Sequence, residues 1–140
     1  MKNLILICSL FFITNFSFAQ GIVGNWETYD DKTNELKSIV EIYKKGDLYF
    51  GKIKEVLTKG GSKTCTACEG DKKNVPTIGL ELIENMKLDG DEYNGGTITD
   101  PESGSVYKCL LALENNDKLK VRGYIGFSLL GRTQYWKRKK

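Results

Sequence analysis

The chain has 140 residues, of which 40% are hydrophobic and 28% charged, and its formal net charge is +3. It contains no histidine, which excludes Ser-His-Asp triads, imidazole general bases and histidine metal ligands. Acidic and basic residues are interspersed and the net charge is small, so there is no long-range field for nucleic acid, and the basic terminus 137–140 reads as a solvated end.

At the N-terminus, Lys2 precedes an apolar run over 4–13 that is broken only by Ser9. Ser17 and Ala19 then supply small side chains three residues and one residue before a cut after Ala19, the layout of a secretion signal. The run is about ten residues against the ~20 that span a bilayer as a helix, so a retained, stable membrane anchor is not expected. Cys8 lies within the apolar stretch rather than behind a small-residue box, which argues against lipidation there. Residues 1–19 are therefore expected to be a cleaved signal peptide. Residues 20–140 are expected to be one exported domain, periplasmic or extracellular, with a core that needs no metal.

Within 20–140, short apolar-polar runs alternate with glycine-containing turns, and there is no internal repeat or long helical stripe. A first strand is predicted over 22–29 and a second over 37–44. Gly46-Asp47 turns the chain into a third over 48–57, where Tyr49, Gly51 and Ile53 share a face. Residues 58–76 read as a long polar loop. The segment 77–88 is ambiguous: Ile78, Leu82 and Met86 could line one short helix, or the segment could begin a strand. Asp89-Gly90-Asp91 leads into a strand over 92–99, and Asp100-Pro101-Glu102-Ser103-Gly104 is a strong turn signal. Tyr107, Cys109, Leu111 and Leu113 alternate cleanly, a turn at 115–117 follows, and then come Leu119, Val121, Gly123 and Ile125. A corner at 126–131 leads into a closing strand over 132–138. Seven or eight strands joined by hairpin-sized loops must hide their edges, and an antiparallel up-and-down β-barrel does so completely, with a two-sheet sandwich as the alternative.

Gly24-Asn25-Trp26 in the first strand, with Arg132 or Arg138 in the last, looks like the lipocalin-type plug, in which a guanidinium lies over the indole where the barrel closes. Cys65-Thr66-Ala67-Cys68 carries the sharpest chemical signal. In an oxidising compartment that spacing favours a local disulfide, while redox chemistry, half a zinc site and free thiols stay open as readings. Cys109 alternates with apolar residues and reads as a buried free thiol. Arg122 and Tyr124 share a face opposite Val121 and Gly123. If Val121 points inward then Arg122 faces solvent, whereas a shifted register would carry Arg122 into the barrel mouth near Asp100. Two readings stay open: an Asp100 ion pair that holds a corner, or a ligand carboxylate or phosphate held by Arg122 or Arg132. No catalytic residues are expected: Asp30, Asp31 and Glu102 are turn carboxylates, Ser128 has no base beside it, and no glycine-rich stretch ends as a phosphate-binding loop does.

Taken in order, Gly24-x-Trp26, Tyr49-x-Gly51-x-Ile53, Cys65-x-x-Cys68 and Gly95-Gly96-x-Ile98-x-Asp100-Pro101-x-x-Gly104-x-x-Tyr107 are followed by two further stretches. These are Leu119-x-Val121-Arg122-Gly123-Tyr124-x-Gly126 and Leu130-Gly131-Arg132-Thr133-x-x-Trp136-x-Arg138. The set resembles the exported bacterial domain-of-unknown-function family numbered 2147. The resemblance implies an all-β, lipocalin/calycin-like antiparallel up-and-down β-barrel of about eight strands over 20–140, and no established activity.

A barrel of this size either fills with side chains or holds one small ligand. The first expectation is a non-enzymatic binding module for a small hydrophobic or amphiphilic molecule, with no cofactor, lined by Tyr49, Tyr107, Arg122, Tyr124 and Trp136. The second is an envelope or secreted interaction protein whose barrel is packed solid.

Overall fold

The computed structural model describes residues 20–140; the leader expected over 1–19 lies outside the described residues. Eight strands run in chain order: β1 (Gly24–Tyr29), β2 (Leu36–Lys45), β3 (Leu48–Val56), β4 (Glu81–Asp89), β5 (Glu92–Thr99), β6 (Val106–Asn115), β7 (Lys118–Tyr124) and β8 (Gly131–Arg138). Each is antiparallel to the next, and β8 returns to β1, so the sheet closes into a barrel and leaves no free edge. The sandwich alternative is not adopted.

Cross-strand register fixes which residues face inward, because partners directly opposite share a face of the pleat. Trp26 opposes Val40, Val40 opposes Ile53, Ile98 opposes Tyr107, and Val121 opposes Leu111 and Gln134. The buried cluster Trp26, Val40, Ile53, Leu111, Val121 and Trp136 is the visible result.

The ambiguous segment 77–88 is not a helix: a turn over 77–80 leads into β4 at Glu81. Ile78, the first member of the supposed helical stripe, is 61% exposed, while Ile83 and Met86 are fully buried inside the barrel. Ile83 and Met86 can both face inward, although three positions apart, because Asn85 takes a left-handed φ of 57° and adds a residue at a bulge. On the neighbouring strand, the register slips between Tyr93 and Gly96. Gly96 sits so close to β4 that a Cβ there would overlap the Glu84 carbonyl oxygen. Among the described residues the one helical element is a single 3-10 turn, Gly70–Lys72, in the long loop between β3 and β4.

That long loop is not a solvated flap. Cys65 and Cys68 form a disulfide with Cα atoms 5.3 Å apart, and both are buried in the core cluster. The loop makes its own short ladder, with the Cys65 N–H donating to the Val75 carbonyl at 2.8 Å and the Asn74 N–H to the Cys65 carbonyl at 2.9 Å. Lys72 pairs with Glu84 of β4 at 2.7 Å. The turn between β5 and β6 meets the loop at Gly104, whose φ is +72° and whose missing Cβ would overlap the Ala67 carbonyl.

Candidate functional site

The two ends of the barrel differ. One is sealed around Trp26, which is 0% exposed and donates its indole N–H to the Ile22 carbonyl at 2.8 Å. The Arg138 guanidinium lies 4.3 Å from the indole centroid, a cation–π contact of about 1 kcal/mol. Its nitrogens donate to the carbonyls of Asn116, Val23 and Gly21 at 2.6, 3.1 and 2.8 Å. One side chain thus ties the last strand to the segment before β1 and to the β6–β7 turn. Gly24 is needed for this closure: its φ is +139°, and a Cβ there would stand 3.0 Å from the Arg138 Nη1. Above the plug, Tyr49 packs edge-on against Tyr93 with centroids 4.8 Å apart. Burial, and then the neighbouring Tyr49, pushes the Tyr93 hydroxyl pKa upward.

The other end is open. A cavity of about 560 Å³ enters there, with Val40, Ile53, Leu82, Ile98 and Val121 among its apolar lining. Tyr107, Tyr124 and Trp136 also line it, and Gly123 widens the wall between them. The rim comes from the β1–β2 turn, the β5–β6 turn and the β7–β8 loop. Its charges are paired across these loops: Lys37 with Glu102 at 2.6 Å, and Arg132 with Asp31. Exposed pairs of this kind contribute about 0–1 kcal/mol each, so their consequence is a largely neutralised rim rather than stability. A polar relay runs down one wall: Trp136 Nε1 donates to Gln134 Oε1, and Gln134 Nε2 donates to Asp31 Oδ2, each at 3.2 Å. Asp30 has its carboxyl pKa lowered by the N–H groups of Thr33 and Lys32, and so is committed to its turn.

The structure therefore divides the expected site residues. Tyr107 and Trp136 face the cavity together, and Tyr124 borders its mouth from the end of β7, on the same strand face as Arg122. Tyr49 does not line it, being held in the sealed half against Tyr93. Arg122 does not line it either. Val121 points inward, so its neighbour lies on the outer face, where Arg122 Nε donates to the Ser128 carbonyl and Nη1 to Thr133 Oγ1, each at 2.7 Å. Of the two candidate plug arginines, Arg138 covers Trp26. Arg132 is at the opposite end, on the cavity rim with Asp31. The Asp31, Lys37, Glu102 and Gln134 contributions lie beyond the sequence pattern, because each depends on a contact between a strand end and a turn distant in sequence.

Cys109, opposite Gly96 and Gly123, is 1% exposed, and burial raises its thiol pKa from 9.0 to about 12. Alkylation of native protein without reductant is expected to label none of the three described cysteines. Reduction and unfolding should release all of them, as read by intact mass. Labelling of native Cys65 and Cys68 at neutral pH would contradict the disulfide. The raised Cys109 pKa stabilises the fold fully below the ordinary thiol value, and this contribution is lost as pH climbs from 9.0 toward 12.

The comparisons with known proteins agree with this geometry. No curated protein sequence matches the chain. A solved structure described as protein HP1028 from the human pathogen Helicobacter pylori, belonging to the lipocalin family, superposes with a TM-score of 0.74. It is 18% identical and covers 86% of this chain and 84% of its own, a likeness in fold alone. The family described as uncharacterized protein conserved in bacteria, DUF2147, matches residues 24–138, and the chain belongs to that family.

Proposed function

We propose that this is an exported, non-enzymatic carrier or sensor that takes one small hydrophobic or amphiphilic molecule into the open end of its barrel. The observation that supports the reading best is the cavity. At about 560 Å³ it lies in the range of small-molecule sites, roughly 300–1,000 Å³, with an apolar interior and a few polar groups at the lip. A solid barrel acting only through its surface would not leave that volume. The rim selects further. Lys37 and Arg132 already face carboxylates, so an apolar body with an uncharged polar end fits better than a free acid or phosphate. The signal-like leader and the disulfide support export to an oxidising compartment.

Native mass spectrometry of protein purified from its own host is expected to show a co-purifying small molecule of one stoichiometric equivalent. Titration with a brominated long-chain alcohol should quench tryptophan emission, because Trp136 lines the cavity whereas Trp26 is sealed from it. An empty spectrum from several preparations, together with no saturable quenching, would rule the reading out.

A further inference from the structure

The loop between β7 and β8 carries four large apolar side chains that nothing in the barrel covers. Ile125, Phe127, Leu129 and Leu130 are 67%, 66%, 85% and 62% exposed. Isolated exposed apolar residues are ordinary on a protein surface, but four within six positions at one loop tip are not. The loop is also held in place rather than hanging from its strands. Lys108 Nζ donates to the Gly126 carbonyl at 3.3 Å, Arg122 Nε to the Ser128 carbonyl at 2.7 Å, and the Leu130 N–H to the Phe127 carbonyl at 3.0 Å.

The cations nearest the tip, the two that hydrogen-bond to it, have no carboxylate partner among the described residues. Lys120 and Arg122 lie on the outer face of β7, and Lys108 lies opposite Tyr124 on the outer face of β6. Among the described residues Lys120 has no such partner either. Of the four carboxylates at the mouth, Asp31 pairs with Arg132 and Glu102 with Lys37, while Asp30 and Asp100 accept N–H groups of their own turns. An apolar tip backed by unpaired cations matches the layering of an anionic bilayer, with hydrocarbon beneath negatively charged headgroups.

We infer that the β7–β8 tip docks on an anionic lipid surface, with Phe127 and Leu129 entering the headgroup–acyl boundary and Lys108 and Arg122, which hold the loop, facing the lipid phosphates. Ile125 and Leu130 belong both to this tip and to the cavity wall. Docking therefore brings the mouth against the membrane, where an amphiphile can pass into the barrel with little exposure to water. The docking surface stands on its own observations and does not depend on the cavity being occupied.

The test is co-sedimentation of the protein with vesicles of equimolar phosphatidylglycerol and phosphatidylcholine, and with vesicles of phosphatidylcholine alone. Binding to the anionic vesicles is expected to be tighter by about tenfold or more and to weaken with added salt. The double variant Phe127→Ser/Leu129→Ser should lose about tenfold or more of that affinity, with an unchanged thermal midpoint because both side chains are in solvent. Phe127→Trp should shift its emission to the blue when anionic vesicles are added. The cavity-filling variant Gly123→Leu should still sediment, and the tip variant should still bind the brominated alcohol in solution, which separates this inference from the ligand reading. No sedimentation of the intact protein, or equal sedimentation of the tip variant, overturns the inference. Self-association that disappears in the tip variant, without vesicle binding, also overturns it and gives the tip to a second copy of the chain.

Discussion

Trp26→Ala is expected to remove about 3–5 kcal/mol of stability, the range for deleting a large buried aromatic. That is a large share of the ~5–15 kcal/mol that holds a typical domain. The side chain is completely buried and sits where β1 meets β8, which exchange only two residue pairs, Trp26 with Arg138 and Glu27 with Lys137. The seam with the shortest ladder is therefore the one the indole reinforces. Removing it opens a cavity beneath Arg138, leaves the Ile22 carbonyl without its 2.8 Å donor, and frees the N-terminal segment. Urea unfolding followed by far-UV circular dichroism measures the loss. Trp26→Phe separates the components: it keeps most of the apolar contact and gives up the indole hydrogen bond, so about 1–2 kcal/mol is expected. Arg138→Met should be intermediate, since it loses the cation–π contact and three donations to carbonyls but keeps an apolar stem. A loss below about 1 kcal/mol for Trp26→Ala would show that the seam is held some other way.

Much of the barrel can be read from the residues because period-two alternation survives in β6 and β7. Tyr107, Cys109, Leu111, Leu119 and Val121 sit at alternate positions with no interruption, and their inward direction follows. In β4 and β5 the pattern breaks. The left-handed Asn85 and the Gly95-Gly96 pair each accompany a slip of register, so Ile83 with Met86, and Tyr93 with Gly96, are spaced by three. A three-residue spacing of apolar side chains is also what a short helix produces, which is why 77–88 admitted both readings. The loop 58–76 was legible in composition but not in position. Its lysines, glycines and threonines describe a solvated segment, yet the disulfide and the contact at Gly104 draw it against the wall. The same limit applies to the site. Tyr49 and Tyr107 both face inward, and only the axial placement of bulk decides that one is packed and the other borders a cavity. Trp26, Tyr49, Met86 and Tyr93 fill the sealed half, whereas Val40, Ile53, Ile98 and Gly123 leave room in the open half. That division depends on register and tilt, and neither is written in local sequence.

Gly123→Leu is expected to weaken binding of the brominated alcohol by about tenfold or more without unfolding the protein. The two expectations come from the same geometry. An added Cβ at Gly123 would meet the Ile98 Cγ2 and the Tyr107 Cβ at 3.4 Å each, which is van der Waals contact rather than overlap, and its φ is not in the left-handed region. The first carbon is therefore accommodated, and the remainder of the leucine projects into volume that is otherwise open. A ligand body must then compete with a covalently attached hydrocarbon. The contrast with Gly96→Leu is instructive: there the Cβ would overlap the Glu84 carbonyl and approach the Met86 sulfur at 2.6 Å, so the strands themselves would have to part. Gly96→Leu should lower stability by several kcal/mol, whereas Gly123→Leu should leave the urea midpoint nearly unchanged while the quenching of Trp136 falls to about half or less at concentrations that saturate the parent protein. Retained quenching in a folded Gly123→Leu protein would place the bound alcohol outside the barrel. A binding function would then have to be sought on the surface, with the open end of the barrel serving only its shape.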